Sequence, residues 1–238
     1  MTEIFLSAHW ENLIMANYAV SPDLLKPYLP NGVELDFYKN KTYVSLVGFM
    51  FKNTRLFNIP VPVLGTFEEI NLRFYVKRVE GNTVKRGVVF INETVPYKMV
   101  AWVANKLYKE HYIAVQTKNK IEITNHSKSI KYQWKINNEW NHITANTAIK
   151  NEPMLPDSIE EFIFEHYYGY TKVSNLISQE YKVNHPSWQV NKVSDYSIQC
   201  NFKTMYGNAF SSLTNQQPDS VIVAKGSPVT VKLKRTNF

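Results

Sequence analysis

Gly65-Thr-Phe-Glu-Glu-Ile-Asn-Leu-Arg-Phe-Tyr-Val76 is the stretch on which the fold turns. Taken with the period of two that a β-strand imposes, it separates into two faces of opposite character. Ile70, Leu72, Phe74 and Val76 make one face entirely apolar. Phe67, Glu69, Asn71, Arg73 and Tyr75 make the other, with an acid, an amide and a base in a row between aromatic rings. Such a row either meets water or lines a polar cavity. In either case Ile70, Leu72 and Phe74 belong to a core on the opposite side; in the second, each polar group also needs a partner, because an unpaired buried charge is costly.

On the N-terminal side, Thr42 to Phe51 is apolar on both faces, as expected of a central strand. Between the two lies Asn58-Ile-Pro-Val-Pro-Val-Leu-Gly65, whose prolines lack the donors a regular ladder needs; it is read as an extended loop. On the C-terminal side Gly81 marks a hairpin turn, and Arg86 to Asn92 returns as a strand. Farther out, Val33 to Tyr38 alternates like a strand. Residues 113–147 read as a polar meander, with strands near Ile121 and Tyr132, a turn at Asn137-Asn138 and a return through Trp140. The last third is strand-like over residues 177–183, 193–202 and 220–233.

Three helices are expected among these strands. Ser21-Pro22-Asp23 supplies a cap and a proline in the first turn, and Leu24, Leu25, Tyr28 and Leu29 a buried side. A second helix opens at Thr94-Val95-Pro96 and carries Val100, Val103, Ala104 and Leu107, with Met99 beside them, on a core face as it runs into Tyr108-Lys-Glu-His-Tyr112. The third starts at Pro156-Asp157-Ser158 with a capping box from Ser158 to Glu161, turns Ile159, Phe162, Ile163, His166 and Tyr167 inward, and stops at Gly169. With no linker, repeat or low-complexity tract, the chain reads as one β-rich α+β domain over residues 1–238.

Composition narrows the function. The 238 residues are 44% hydrophobic and 20% charged, enough for a sizeable core. The formal charge of +7 is dispersed; in Val231-Lys-Leu-Lys-Arg235 the cations alternate with apolar residues as on an exposed edge strand. A nucleic-acid surface therefore ranks last among the readings. Cys200, the single cysteine, excludes an internal disulfide and reads as a buried inert thiol. The N-terminal Met1-Thr-Glu-Ile-Phe-Leu lacks the pattern of a signal peptide, and the longest apolar run, around Tyr43 to Phe51, is too short to span a bilayer, so a cytoplasmic protein is expected. Glycine fingerprints, a Walker loop and the common hydrolase motifs are missing. The six histidines lack metal-ligand spacing, and neither a metal nor another cofactor is called for.

Several segments together resemble the uncharacterised YqjF-like family. They are His9-Trp10, Ser21-Pro22-Asp23-Leu24-Leu25, Leu29-Pro30-Asn31-Gly32, Val44-Ser-Leu-Val-Gly-Phe49 and, most specifically, Phe67-Glu-Glu-Ile-Asn-Leu-Arg-Phe-Tyr-Val76. Phe162-Ile-Phe-Glu-His-Tyr167 is similar to that family's Phe-Leu-x-Glu-Arg-Tyr with His166 for the arginine, and His185-Pro-Ser-Trp188 to its His-x-Pro-Trp with the proline displaced. The resemblance implies an acetoacetate decarboxylase-like fold, an antiparallel β-barrel or cone flanked by about three helices. It also sets Glu69 where acetoacetate decarboxylase has a glutamate. At the two lysines of that enzyme's Schiff-base segment this chain has Tyr112 and Ile113, with Lys106 and Lys109 at other positions. Imine formation needs an amine, so decarboxylation through a Schiff base is not expected.

What the residues leave is a pocket with Glu69, Asn71 and Arg73 on one wall and His111 and Tyr112 on another. Glu69 and Arg73 stand ~13 Å apart along a strand, at ~3.3 Å per residue. Glu69 would act as general base, Tyr112 as acid or hydrogen-bond donor, Arg73 as an anion clamp, and Asn71 and His111 as further substrate contacts. Two function classes stay open: an enzyme acting on a small carboxylate or carbonyl compound without a Schiff base, and a non-catalytic binder of such a molecule. So does a third reading, a satisfied hydrogen-bond ladder with no ligand at all. The expected partner is a small molecule, with neither nucleic acid nor membrane; a homo-oligomer is left open, as are the roles of His166 and His185.

Overall fold

The structure is a computed structural model that describes residues 4–232 and 236–238. The expectations for Met1–Glu3 and for Leu233, Lys234 and Arg235 lie outside the described residues. In chain order the elements begin with β1 (Ile4–Val20), α1 (Pro22–Leu25), β2 (Glu34–Leu35), β3 (Thr42–Leu56), β4 (Ile59–Pro60), β5 (Phe67–Glu80) and β6 (Thr83–Val95). Next come α2 (Lys98–Tyr108), β7 (Tyr112–Ala114), β8 (Thr117–Ile123), β9 (Ser127–Ile136), β10 (Glu139–Pro153) and α3 (Ile159–Phe164). The chain continues with β11 (Tyr168–Lys172), β12 (Ser178–Asn184), β13 (Gln189–Gln199), α4 (Phe202–Tyr206), β14 (Ser220–Lys232) and β15 (Thr236–Asn237).

One sheet organises them, in the order β15-β12-β11-β6-β5-β3-β1-β14-β13-β10-β9-β8. β12 also pairs with β14 through Val183 opposite Val231 and Asn184 opposite Thr230, so the sheet closes on itself in a ring. Within the ring only the β11–β6 contact is parallel. β3 lies between β1 and β5 and is buried without interruption from Thr42 to Phe51, as its two apolar faces require.

β5 is buried on both sides. Ile70, Leu72 and Phe74 are fully buried, in one core with Ile130, Tyr132, Trp134 and Ile143 of β9 and β10. The approach is close enough that a Cβ on Gly48 would come within 2.7 Å of the Tyr132 ring. The opposite face carries Phe67 and Tyr75 into a second core with Phe49, Phe51, Phe162 and Trp188. The expected core face of β5 is thus where the alternation puts it, and the polar row faces the inside of the molecule.

The helices depart from expectation in instructive ways. Thr94 and Val95 extend β6, pinned by their parallel pairing with Ile113 and Ala114 of β7, so α2 begins only at Lys98. It ends at Tyr108 because Lys109 adopts a left-handed conformation with φ 57°. Ala101 is buried, but Met99, expected beside the core, is exposed. α3 ends at Phe164. Ser158 caps it by accepting from Glu161 N at 3.2 Å, but the Glu161 carboxylate accepts from Asp157 N at 2.7 Å instead of completing the box. Gly169 lies in β11, where the Tyr181 ring occupies the space a side chain would need.

Where a strand was expected to run to Phe202, α4 starts instead, and a 3-10 segment, Asn208–Asn215, follows. Asn201 caps α4 by accepting from Thr204 N at 3.1 Å, and Phe202, Met205, Phe210 and Leu213 are buried. The helical complement is therefore larger than the three read from the sequence. Among the described residues no helix is long and apolar enough to cross a membrane.

Candidate functional site

The polar row of β5 acquires its neighbours through one irregularity. From its turn outward the β5–β6 hairpin pairs in simple register as far as Arg73 opposite Phe90. There the register shifts, Leu72 pairs with Asn92, and Ile91 is left over. The shift reverses which β6 side chains share a face with the row, and Glu93 comes to lie directly opposite Asn71. β7 pairs with the other edge of β6, Tyr112 opposite Glu93. Asn105 of α2 clamps the Tyr112 backbone, accepting from its N–H at 2.7 Å and donating to its carbonyl at 2.9 Å.

So held, the Tyr112 hydroxyl donates to Glu69 Oε2 at 3.1 Å, and Asn71 Nδ2 donates to Glu69 Oε1 at 3.0 Å. Arg73 Nη2 reaches the Ile163 carbonyl and Met15 Sδ, each at 3.5 Å, while its Nε has no partner. Glu110, in the turn between α2 and β7, accepts at Oε1 from the hydroxyls of Thr171 (2.7 Å) and Tyr181 (3.0 Å). Glu69, Asn71, Arg73, Glu110, Tyr112 and Tyr181 line a cavity of about 210 Å³ whose remaining wall is mostly apolar, with the aromatic rings of Trp10, Phe49, Phe51, Phe67, Phe164 and Trp188 among its residues.

Burial sets the charge state. Glu69, 3% exposed, is desolvated, and its carboxyl is pushed up to about 7; the Asn71 and Tyr112 hydrogen bonds and the more distant Arg73 charge offset only part of the rise. Desolvation, with the nearby Glu69 charge, likewise brings Glu110 to about 7 against the Thr171 and Tyr181 bonds. Glu93 goes well above the ordinary range, from burial and from the charges of Glu110 and Glu69. The Tyr112 phenol is also raised by burial and by Glu69 and Glu93.

Four of the five residues expected at the site, Glu69, Asn71, Arg73 and Tyr112, line this cavity. His111 is not among its wall residues: its side chain is exposed, and its carbonyl accepts from Asn92 Nδ2 at 2.7 Å and Glu93 N at 3.1 Å. The β7 pairing that turns Tyr112 inward turns His111 out.

Glu93, Glu110, His166 and His185 join the wall without having been placed there from sequence. His166 shares Asp36 Oδ2 with Arg86, at 3.2 and 2.7 Å, and its Nδ1 has no partner. Burial drives it down to about 4 although the Asp36 bond pulls the other way. The His185 ring stacks on Trp188 at 4.2 Å between centroids, and burial lowers its pKa. Among the described residues no three His, Cys, Asp or Glu side chains are grouped to hold a metal ion.

The DUF2071 family, "Uncharacterized conserved protein (COG2071)", matches residues 7–228. "Uncharacterized protein YqjF" of Bacillus subtilis (strain 168) is 25% identical over 193 residues, covering 79% of this chain and 76% of that one. Among solved structures, the acetoacetate decarboxylase of Legionella pneumophila superposes with a TM-score of 0.61 at 12% identity, over 98% of this chain and 86% of that one. "Enduracididine biosynthesis enzyme MppR complexed with pyruvate" gives 0.66 at 10% identity, over 100% and 91%. An acetoacetate decarboxylase-like enzyme from Sphingomonas wittichii RW1 gives 0.64 at 7%, over 98% and 93%. At these identities the likeness to solved structures is one of fold.

Proposed function

The chain belongs to the DUF2071 family and has an acetoacetate decarboxylase-like fold, and from that premise we propose that it binds a small organic acid or carbonyl compound in the cavity and moves a proton on it with Glu69, without a Schiff base. The observation that carries this reading is the Glu69 carboxyl: buried on the cavity wall, raised to about 7, and bonded to the Tyr112 hydroxyl at 3.1 Å. A group with that pKa is populated in both forms near neutral pH, which suits it to take a proton from carbon and return it. Arg73, with an uncommitted Nε, is a natural clamp for a carboxylate. The pyruvate held by one fold neighbour is a molecule of this kind.

Imine chemistry has no support at this site. Among the described residues that line the cavity none is a lysine. In the proposed step the Glu69 carboxylate removes a proton from the carbon beside the ligand carbonyl, the electron pair moves onto the carbonyl oxygen as an enolate, and the same carboxyl returns the proton. The mostly apolar wall favours a second reading, in which the ligand is bound and released unchanged.

Both readings meet in one experiment with pyruvate and 2-oxopentanoate in deuterium oxide. Calorimetry reads binding, and proton NMR reads exchange at the carbon beside the carbonyl. The wild-type protein is expected to bind and to exchange, Glu69→Gln to bind without exchanging, and Arg73→Leu to bind neither acid. Binding without exchange in the wild type selects the non-catalytic reading. Failure of both acids to bind overturns the proposal.

A further inference from the structure

The unpaired polar atoms of the cavity are not scattered, and their types carry information. Asn71 Nδ2 is committed to Glu69, which fixes the amide and turns Oδ1 away from it; that oxygen has no partner. Directly across the β5–β6 ladder, Glu93 Oε2 has no partner either. Both residues are 2% exposed. The Tyr112 hydroxyl donates to Glu69 and also lies against the Glu93 carboxyl, leaving only Glu93 Oε2 open, and the Thr171 and Tyr181 hydroxyls go to Glu110. With Glu93 ionised, Asn71 Oδ1 and Glu93 Oε2 are adjacent buried acceptors facing the cavity, and buried polar groups are rarely left without partners. Two residues along β5, Arg73 Nε is an uncommitted donor.

The charges follow the same division. Three carboxyls, Glu69, Glu93 and Glu110, line the cavity, and among the described residues of its wall Arg73 is the one lysine or arginine. Its Nη2 is spent on Ile163 and Met15 rather than on any of the three. A hydroxyl group would satisfy one of the two open acceptors. An ammonium group brings three donors on a single atom and the missing positive charge. The spacing is short: ~7 Å of strand separates Asn71 from Arg73, at ~3.3 Å per residue.

Building on the proposed function, we infer that the natural ligand is bifunctional, a small acid held at Arg73 whose far end carries an amine, bound as ammonium between Glu93, Asn71 and Glu69. The inference also fixes a proton balance. Burial holds the Glu69 and Glu110 carboxyls partly protonated near neutral pH and raises Glu93 as well, with Tyr112 of β7, Tyr181 of β12 and Arg73 of β5 around them. An arriving ammonium favours their ionised forms, so binding releases protons to the solvent.

The probes are 5-aminopentanoate and hexanoate, which differ by ammonium against methyl at one end. Calorimetry at pH 7 in buffers of different ionisation enthalpy reads affinity and proton release together. We expect 5-aminopentanoate to bind about tenfold tighter or better, with protons released. Glu93→Gln, checked for folding by its thermal melt, should erase that preference while leaving hexanoate within about twofold. Equal or tighter binding of hexanoate, or a Glu93→Gln protein that keeps the preference, overturns the inference. Failure of both probes to bind also overturns it, and 2-oxopentanoate binding to the same sample then shows whether the carboxylate site itself survives.

Discussion

Asp36 and Glu69 are both buried carboxylates, at 6% and 3% exposure, yet they sit about five pKa units apart, at about 2 and about 7. Burial pushes each of them up. At Asp36 the push is overcome by Arg86 at 2.7 Å and His166 at 3.2 Å, which donate directly to Oδ2. At Glu69 the direct donors are an amide and a phenol, and the nearest cation, Arg73, acts only through space. A neutral donor compensates less of the desolvation than a cation in contact does. The difference separates the two sites: Asp36 is an ionised support holding Arg86 and His166, and Glu69 is the carboxyl able to exchange a proton at neutral pH.

Breaking the Asp36 cluster should give the largest effect. Asp36→Ala leaves a guanidinium and an imidazole without their acceptor, and removal of one partner of a buried pair costs about 3–5 kcal/mol. Urea unfolding reads it; a loss below about 1 kcal/mol would mean that solvent takes over the role of Asp36.

The next prediction sharpens the contrast through pH. For Glu69 the folded pKa of about 7 lies above the ordinary 4.5, so the folded chain holds the extra proton. Its contribution to stability is full below pH 4.5 and is lost as pH rises through 7. His166 runs the other way: with a folded pKa of about 4 against 6.5, its contribution is present above 6.5 and is lost as pH falls through 4. Glu69→Gln should therefore be more stable than the wild type at pH 8, by roughly 3 kcal/mol, with the gap closed near pH 4. Thermal melts across that range check it, and a pH-independent gap would contradict the assignment.

The sequence made one of these two sites legible and hid the other. Alternation in β5 set Glu69, Asn71 and Arg73 together on one face, because period two survives wherever a strand has one apolar face, but it left open whether that face meets water or a cavity. Glu93 did not, because the leftover Ile91 reverses the facing of β6 beyond it. Extending the hairpin from its turn without a bulge sets Asn92, not Glu93, opposite Asn71. Glu110 lies in the short turn after α2, where periodicity says nothing. Asp36 and His166 are 130 residues apart and meet beside Tyr75, whose carbonyl accepts from the Asp36 backbone N–H at 3.0 Å and whose ring packs on His166. No local pattern carries such a contact. Only a bulge signal in Phe90-Ile-Asn-Glu93 would have recovered Glu93. The tight turns were readable from Gly81 and Asn137-Asn138, whereas α4 was not, its five residues being too short for a helical period to show.

Two smaller effects complete the series. Arg73→Leu removes the one through-space cation from Glu69 and the bond to the Ile163 carbonyl, and should cost about 1 kcal/mol in denaturant unfolding while raising the Glu69 carboxyl further. His111→Ala truncates an exposed side chain whose carbonyl makes the structural bonds. Stability within about 0.5 kcal/mol of the wild type, with unchanged ligand affinity, is expected by the same melts and calorimetry.

The most direct measurement is the titration of the Glu69 side chain itself. Carbon-13 NMR of protein labelled at glutamate carboxyls, with Glu69→Gln to assign the resonance, follows it without a ligand. A midpoint near 7 is predicted. A midpoint at the ordinary 4.5 would mean that Glu69 is a solvated or fully paired carboxylate, and would contradict the proposal that it is the proton-exchanging group of the cavity.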